Sequence, residues 1–137
     1  MVTGHDIQHE VYTLLTGSAL AGSVSGGVYK NGYRPRNSSL EDIVVSFTSS
    51  TGGQVQDGIV TVNIYVPDVD PNDDGTWVED GNRTAQLERG LLTWLEGINR
   101  SSTDYLFQAQ QPPYTMEDHS VRQHFVTLRL RFRYLGQ

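Results

Sequence analysis

The sequence predicts an α+β fold, namely a mainly antiparallel β-sheet with two principal helices packed on one face. Two segments space their apolar side chains three or four residues apart, as amphipathic helices do. Two others alternate apolar with polar side chains, as strands buried on one side do. The order along the chain is helix, strands, helix, strands, and the 14 glycines and five prolines favour short strands and turns. For 137 residues we expect a single domain over residues 1–137.

The first helix is expected to begin after Thr3 and to end at Gly17. Thr3 and Asp6 have the spacing of a capping box, and an acidic residue in the first turn also suits the helix dipole. Glycine is a common residue at the end of a helix. One apolar stripe runs through Ile7, Val11, Leu14 and Leu15. Residues 18–27 are rich in small side chains and predict a loop.

The middle of the chain predicts a β-hairpin. Residues 28–29 indicate a brief strand before it, and residues 43–47 are a compact β-prone run. Residues 49–54, which contain two consecutive glycines, predict the connection to a return strand at residues 55–66. That strand alternates apolar with polar side chains, so one of its faces is expected to be buried. Gly58 within it marks a candidate β-bulge.

A second helix is expected at residues 82–99, where the helical stripe consists of Leu87, Leu91, Trp94, Leu95 and Ile98. A pair of strands then completes the chain. The first covers residues 105–109 and is broken off by two consecutive prolines, and the second covers residues 119–134. The second strand has the clearest alternation in the sequence, with apolar side chains on one face and Thr127, Arg129, Arg131 and Arg133 on the other.

Charge is distributed unevenly along the chain. The formal net charge is −6, which argues against a dedicated nucleic-acid-binding protein. Residues 68–80 contain no base and six acids, namely Asp68, Asp70, Asp73, Asp74, Glu79 and Asp80. Residues 121–137 contain four arginines and no acid. Opposed charges of this kind suit head-to-tail association between copies, and the alternative is two solvated surfaces of opposite sign.

The sequence lacks the motifs of catalysis, cofactor binding and metal binding. Cysteine is absent, which excludes disulfides, thiol catalysis and Cys-ligated zinc. His5 and His9 have the spacing of a helical zinc motif, but Asp6 stands in place of the glutamate and no third ligand is evident. The stretch from Asp70 matches the opening of a calcium loop, but its twelfth position is Gly81, so a polar turn is the preferred interpretation. We expect no catalytic residue, no metal and no cofactor.

The strongest candidate functional residues are Arg129, Arg131 and Arg133. On an extended strand they share a face, each about 7 Å from the next. Three like charges in a row repel one another unless cross-strand acids or an outside partner compensate them. One interpretation is a solvated sheet face with local carboxylate partners. The functional hypothesis is an interface with another subunit, another protein of the same assembly or a polyanion, and the opposing acids between subunits are then Asp68, Asp70, Asp73 and Asp74.

The order of elements and several short stretches also resemble a known family. The opening helix ends in LLTGSAL at residues 14–20, and a small-residue loop leads into the stretch GVY at residues 27–29. Hairpin strands at residues 43–48 and 59–66 precede a long helix at residues 86–98 and a final hairpin. This pattern resembles the tail-terminator and neck (tail-completion, head–tail joining) proteins of tailed bacteriophages and prophages.

The resemblance implies a non-enzymatic structural role in the virion. Such proteins form a ring, often of six subunits, at the head-proximal end of the tail, where the ring stops tail-tube polymerisation and docks to the head connector. The implied partners are further copies of the chain, a tail-tube protein and connector or neck proteins, with DNA only passing through the lumen. The resemblance also implies assembly in the cytoplasm of a bacterial host, with no catalytic residue, no cofactor and no membrane.

The alternative function is a free-standing intracellular α+β module that binds a small ligand or a protein partner. A convergent polar pocket would indicate such a module, and the sequence shows none. The first ten residues lack the basic and apolar segments of a secretory signal, and no apolar run approaches the roughly 18 residues of a membrane span. We therefore expect neither export nor membrane insertion.

Overall fold

The computed structural model describes residues 2–51, 57–101, 104–118 and 121–136. These residues form three helices, namely α1 (Gly4–Thr16), α2 (Ala19–Ser23) and α3 (Gly81–Ser101). They also form six strands, namely β1 (Val28–Lys30), β2 (Ile43–Thr51), β3 (Asp57–Pro67), β4 (Tyr105–Ala109), β5 (Tyr114–Asp118) and β6 (Gln123–Tyr134). The strand order is β1-β2-β3-β6-β4, with β5 also paired to β6, and all pairs except β1–β2 are antiparallel. The predicted α+β fold with a mainly antiparallel sheet is confirmed.

One hydrophobic core joins the helices to one face of the sheet. It contains the apolar stripes of α1 and α3 and every second residue of β3 and β6, namely Val60, Val62, Ile64, Val66, Val126, Leu128, Leu130 and Phe132. The intervening residues of these strands lie on the opposite face, which we call the helix-free face. The alternation predicted for both strands therefore describes the sheet correctly. Among the described helices, none is both long enough and apolar enough to cross a membrane.

The first helix begins and ends as predicted. Thr3 Oγ1 accepts from the Asp6 backbone N–H at 3.1 Å, and Asp6 Oδ2 accepts from the Thr3 N–H at 3.0 Å, which completes the capping box. The hydrogen bond from the Thr3 backbone lowers the pKa of the Asp6 carboxyl. Gly17 is the C-cap.

The prediction of a loop at residues 18–27 is wrong for the segment that forms α2. Ser18 caps this short helix, because its Oγ accepts from the Ala21 N–H at 3.1 Å. Leu20 is buried against α3, and a Cβ placed on Gly90 would lie 3.0 Å from the Leu20 side chain. Five residues are too few for a stable isolated helix, so this packing against α3 holds α2 in place.

The bulge in the β2–β3 hairpin lies on β2 and not at Gly58. Phe47 pairs with Val60 and Ser49 pairs with Ile59, so Thr48 is the extra residue. Gly58 pairs regularly with its neighbours on both sides. The connection predicted at residues 49–54 is wrong for residues 49–51, which belong to β2 because they pair with residues 57–59 of β3. The rest of that connection, residues 52–54, and the first two residues of the predicted return strand, 55–56, lie outside the described residues.

The predicted strand at residues 119–134 is shorter than expected, because β6 begins at Gln123. Residues 119–120 lie outside the described residues, and the turn includes residues 121–122. Strand β5 was not predicted; it pairs with the first half of β6, while β4 pairs with its second half. Two prolines separate β4 from β5, and since proline has no N–H to donate, they divide the return path into two strands.

The second helix forms as predicted, with slightly wider bounds than residues 82–99. All five side chains of its predicted apolar stripe are buried, together with Thr84. The periodicity of α3 therefore identified its buried face correctly.

Candidate subunit interface at the two ends of the sheet

The three arginines of β6 form one row on the helix-free face. In the register of β6 with β3, the row runs from Arg129, opposite Thr61, to Arg133, opposite Asp57. Arg131 and Arg133 are exposed, and Arg129 is partly buried. The row therefore occupies the part of the sheet at which β3 begins, which we call the arginine end.

Local carboxylates compensate the arginine row only weakly within the described part of the chain. Arg131 Nη2 lies 3.7 Å from Asp57 Oδ2, and the Arg131 side chain is 61% exposed. An exposed ion pair of this kind contributes about 0–1 kcal/mol. Among the described residues, Arg129 Nε and Asn63 Oδ1 are buried without a hydrogen-bond partner. The row is thus a concentration of positive charge that the neighbouring strands leave largely uncompensated.

Shallow pockets flank the Arg131 side chain on both sides. One has a volume of about 180 Å³, and its lining includes Leu106, Gln108 and Arg133. The other has a volume of about 220 Å³, and its lining includes Ile59 and polar side chains of β2 and the β4–β5 connection. Leu106 is 51% exposed. The arginine end therefore combines positive charge with exposed apolar surface.

At the opposite end of the sheet, Arg34 covers the helix-free face. Its guanidinium carbon lies 4.1 Å from the centroid of the Tyr65 ring, and its Nη2 donates to Gln123 Oε1 at 3.2 Å. Its Nε donates to Asp42 Oδ2 at 2.8 Å. The Asp42 side chain is 1% exposed and also accepts from the Gly27 N–H at 3.1 Å. This network fixes the segment before β2 to the sheet.

The surroundings of Asp42 favour its ionised form. Burial acts to raise the pKa of the Asp42 carboxyl, but hydrogen bonds from the Ser38 hydroxyl and the Arg34 guanidinium outweigh it. The pKa of Asp42 therefore lies below its ordinary value of 3.8.

The acidic segment folds into a small hairpin over residues 69–78, which we call the acidic hairpin. Val69 and Val78 exchange two backbone hydrogen bonds of 2.9 Å. At its tip, the Asp70 carboxylate accepts from the backbone N–H groups of Asp74 at 3.2 Å and Gly75 at 2.9 Å. The residues that match a calcium loop thus hydrogen-bond to their own turn. In the described ranges, no three His, Asp or Glu side chains converge as metal ligands would.

Asp68 anchors the acidic hairpin instead of lying exposed at its surface. Asp68 Oδ1 lies 2.6 Å from His124 Nδ1, and the two side chains are 8% and 14% exposed. The Asp68 N–H also donates to the Arg122 carbonyl at 3.0 Å. Of the four predicted interface acids, Asp73 and Asp74 are exposed, Asp70 is partly buried in the turn, and Asp68 is held by His124.

The last two acids of the segment belong to the start of α3. Asp80 caps the helix, because its Oδ1 accepts from the Arg83 N–H at 3.3 Å. Glu79 Oε2 accepts from the Thr84 hydroxyl at 2.6 Å, and Glu79 Oε1 lies 3.9 Å from His124 Nε2. His124 therefore faces carboxylates at both ends of the acidic hairpin.

The contacts of His124 and Arg122 with the acidic hairpin were not predicted from the sequence. Besides its backbone contact, Arg122 places its guanidinium carbon 5.0 Å from the centroid of the Trp77 ring. His124 is 56 residues from Asp68, so no local spacing indicates their contact. The only signal is the pairing of β3 with β6, which sets His124 opposite Val66 and so beside the start of the hairpin.

Along β3, the arginine end and the acidic hairpin are separated by the length of the strand. Thr61, opposite Arg129, is six residues from Pro67, after which the acidic segment begins. Six residues of strand span about 20 Å. The Debye length at physiological salt is about 8 Å. Along β3, the arginine row therefore lies more than two Debye lengths from the start of the acidic segment, which weakens the attraction between the two charged regions within one copy of the chain.

No protein family and no curated protein matches this chain. The histidine pair of α1 adds no metal-like geometry, because Lys30 Nζ lies 2.9 Å from His9 Nδ1 and the His9 ring stacks on Tyr12.

A groove of about 560 Å³ lies between α2 and α3, on the helix layer. Its lining includes the apolar side chains of Leu20 and Trp94 and the open surface at Gly97. Its charged lining residue, Arg83, donates from Nε and Nη2 to the two carboxylate oxygens of Glu41 at 2.7 and 2.8 Å. The groove is thus apolar in character, with its charge already paired.

Proposed function

We propose that this protein is a non-enzymatic structural subunit of a phage or prophage virion. In this proposal it closes into a ring at the head-proximal end of the tail, stops polymerisation of the tail tube and joins the tail to the head connector. The observation that carries the proposal is the separation of charge along the sheet, with the arginine row about 20 Å along β3 from the start of the acidic segment. The order of the elements, which resembles the tail-terminator and neck proteins, supports the placement in the virion.

Charge separation of this kind favours head-to-tail contacts. In a symmetric dimer, the arginine end either faces the arginine end of the other copy, or one interface has to contain both the arginine end and the acidic hairpin. A head-to-tail contact instead places the arginine end of one copy against the acidic hairpin of the next, so that unlike charges meet. Head-to-tail contacts form a closed ring when the rotation that relates successive copies adds up to one full turn. The other partners, a tail-tube protein and a connector or neck protein, follow from the resemblance.

The first test is the state of assembly of the full chain. Negative-stain electron microscopy and mass photometry of the wild type are expected to show rings. Replacing all three arginines of the row by glutamate is expected to abolish them. The matched control replaces the exposed Arg36, Arg89 and Arg100 by glutamate, which changes the net charge equally and is expected to leave the rings intact. Rings that persist in the row variant would contradict a charge-based contact.

The second test places the gene. Sequencing of the flanking DNA is expected to show portal and capsid genes on one side and a tail-tube gene on the other. A neighbourhood of metabolic or regulatory genes would contradict a role in the virion.

A second candidate function is a free-standing intracellular module that binds a small apolar ligand or a protein partner. The groove between α2 and α3 favours it, since about 560 Å³ lies within the range of ligand sites. Replacing Gly97 by leucine would place a side chain in the groove, because a Cβ added at Gly97 meets no atom within 4 Å outside its chain neighbours and the adjoining backbone of its own helix. If the groove serves this function, the variant loses ligand-induced thermal stabilisation in a screen of apolar compounds. If the chain serves in a ring, its assembly is unchanged.

A further inference from the structure

The acidic hairpin carries exposed apolar side chains in addition to its acidic tip. Val69, Trp77 and Val78 are 37%, 42% and 42% exposed. Asp73 and Asp74 lie at the tip and are exposed. Tryptophan is the side chain most enriched among the residues that dominate binding energy at protein interfaces, together with tyrosine and arginine. The hairpin therefore presents an aromatic anchor next to negative charge.

The arginine end presents the complementary combination. Leu106 is exposed and shares the 180 Å³ pocket with Arg131 and Arg133. The aliphatic stems of arginine side chains offer apolar contact area, and their guanidinium groups stack favourably on tryptophan rings. An apolar centre with positive charge around it thus matches an aromatic residue with carboxylates around it.

We infer that the acidic hairpin of one copy docks on the arginine end of the next copy, with Trp77 against Leu106 and the carboxylates of Asp73 and Asp74 paired with Arg131 and Arg133. This inference rests on the proposed ring and names its contact. The occupant of the arginine end is a second copy of the chain, because the same chain supplies a surface of opposite charge that begins about 20 Å along β3 from its own arginine row.

The acidic hairpin is held in one orientation before docking. The Asp68–His124 contact of 2.6 Å and the Val69–Val78 hydrogen bonds fix its base, and the Asp70 carboxylate orders its tip. A surface that is already ordered loses less conformational entropy on binding. The hairpin can therefore dock as a rigid element.

Cysteine cross-linking tests the contact directly, because the chain contains no cysteine. The test variant carries Thr76→Cys on the hairpin and Gln108→Cys on β4, both at exposed positions. A disulfide requires Cα atoms within about 7 Å, so bond formation reports close contact. We expect mild oxidation to give a ladder of linked oligomers on a non-reducing gel, reversed by dithiothreitol. The control pair, Thr76→Cys with Leu92→Cys on α3, is expected to give no ladder.

Addition of Trp77→Ala to the test variant is expected to slow cross-linking at least about tenfold, as loss of a central interface tryptophan does. The matched control is Tyr33→Ala, an aromatic residue that is 76% exposed elsewhere, and it is expected to leave the rate unchanged. Rings in the wild type without cross-linking of the Thr76–Gln108 pair, or with equal cross-linking of the control pair, would overturn the docking and spare the ring. If the wild type forms no rings and neither pair cross-links, both the docking and the ring are rejected.

Discussion

The two ends of the sheet differ in how their charges are satisfied. At the end of the sheet beside the acidic hairpin, which we call the hairpin end, Asp68 contacts His124, and Arg34 joins Asp42 to Gln123 on the helix-free face. At the arginine end, the described residues offer one long ion pair, from Arg131 to Asp57, and leave Arg129 Nε unpartnered. Charge at the first end stabilises the fold, whereas charge at the second end contributes little to it. The second end is therefore the better candidate for a partner.

The largest expected effect comes from breaking the buried network at the hairpin end. Asp42→Ala removes the acceptor of Arg34 Nε and leaves a guanidinium that is largely shielded from water without its carboxylate. Removing one partner of a buried ion pair lowers the free energy of unfolding by about 3–5 kcal/mol. Urea denaturation measures the change. Arg36→Ala, at an exposed position nearby, serves as control and is expected to change the free energy by less than about 0.5 kcal/mol.

The same carboxylate makes the stability of the protein depend on pH in the acidic range. Since the folded-state pKa of Asp42 is lowered below 3.8, unfolding takes up a proton, and the stabilisation is present above that value. It is lost as the pH falls through the folded-state pKa. Urea denaturation at a series of pH values below 5 measures the free energy of unfolding. With falling pH, this free energy is expected to decrease less steeply for Asp42→Asn than for the wild type. Parallel curves would show that Asp42 does not contribute to the acid sensitivity.

A smaller effect is expected from the anchor of the acidic hairpin. Asp68→Ala leaves the His124 ring without its nearest carboxylate and is expected to lower the free energy of unfolding by about 1–3 kcal/mol. Because Trp77 lies on the hairpin, its fluorescence is expected to shift as well. The control is Asp73→Ala at the exposed tip, for which a change below about 0.5 kcal/mol is expected. Equal effects of the two substitutions would show that the contact with His124 does not anchor the hairpin.

The fold could be predicted from the sequence wherever one local period determined it. The stripe of α3 from Leu87 to Ile98 and the alternation of β3 and β6 were sufficient to identify their buried faces. In contrast, α2 depends on the packing of Leu20 beside Gly90, which is distant in sequence. The side chains of the edge strand β5 do not alternate between buried and exposed positions. This strand therefore lacks the period of two that identifies a half-buried strand. Elements held by tertiary contacts therefore left no local signal.

The candidate site, like the fold, could be predicted only in part from the sequence. The shared face of the arginine row follows from alternation alone, since β6 is regular from Arg129 to Arg133. The anchoring of Asp68 by His124 does not follow, because it depends on which strands pair and in which register. Charge counts along the sequence also did not distinguish Asp68 and Asp70 from Asp73 and Asp74. The structure separates acids that fold the segment from those at its tip that remain exposed.

The smallest expected effect is that of a substitution at the arginine end itself. Arg129 is partly buried, and its Nε finds no hydrogen-bond partner among the described residues. Replacing a buried polar group that lacks a partner with an apolar one of similar shape is neutral or stabilising. Arg129→Met is therefore expected to raise the free energy of unfolding by about 0–1 kcal/mol, as measured by urea denaturation.

The control for Arg129→Met is Arg34→Met at the hairpin end, which removes the partner of Asp42 and is expected to destabilise the fold by about 3–5 kcal/mol. The same chemical change thus has opposite signs at the two ends. A loss of stability in Arg129→Met comparable to that in Arg34→Met would mean that the arginine row supports the fold, and the case for a partner at that end would lose its physical basis. A neutral or positive change, together with loss of rings in the glutamate variant, would assign the row to assembly.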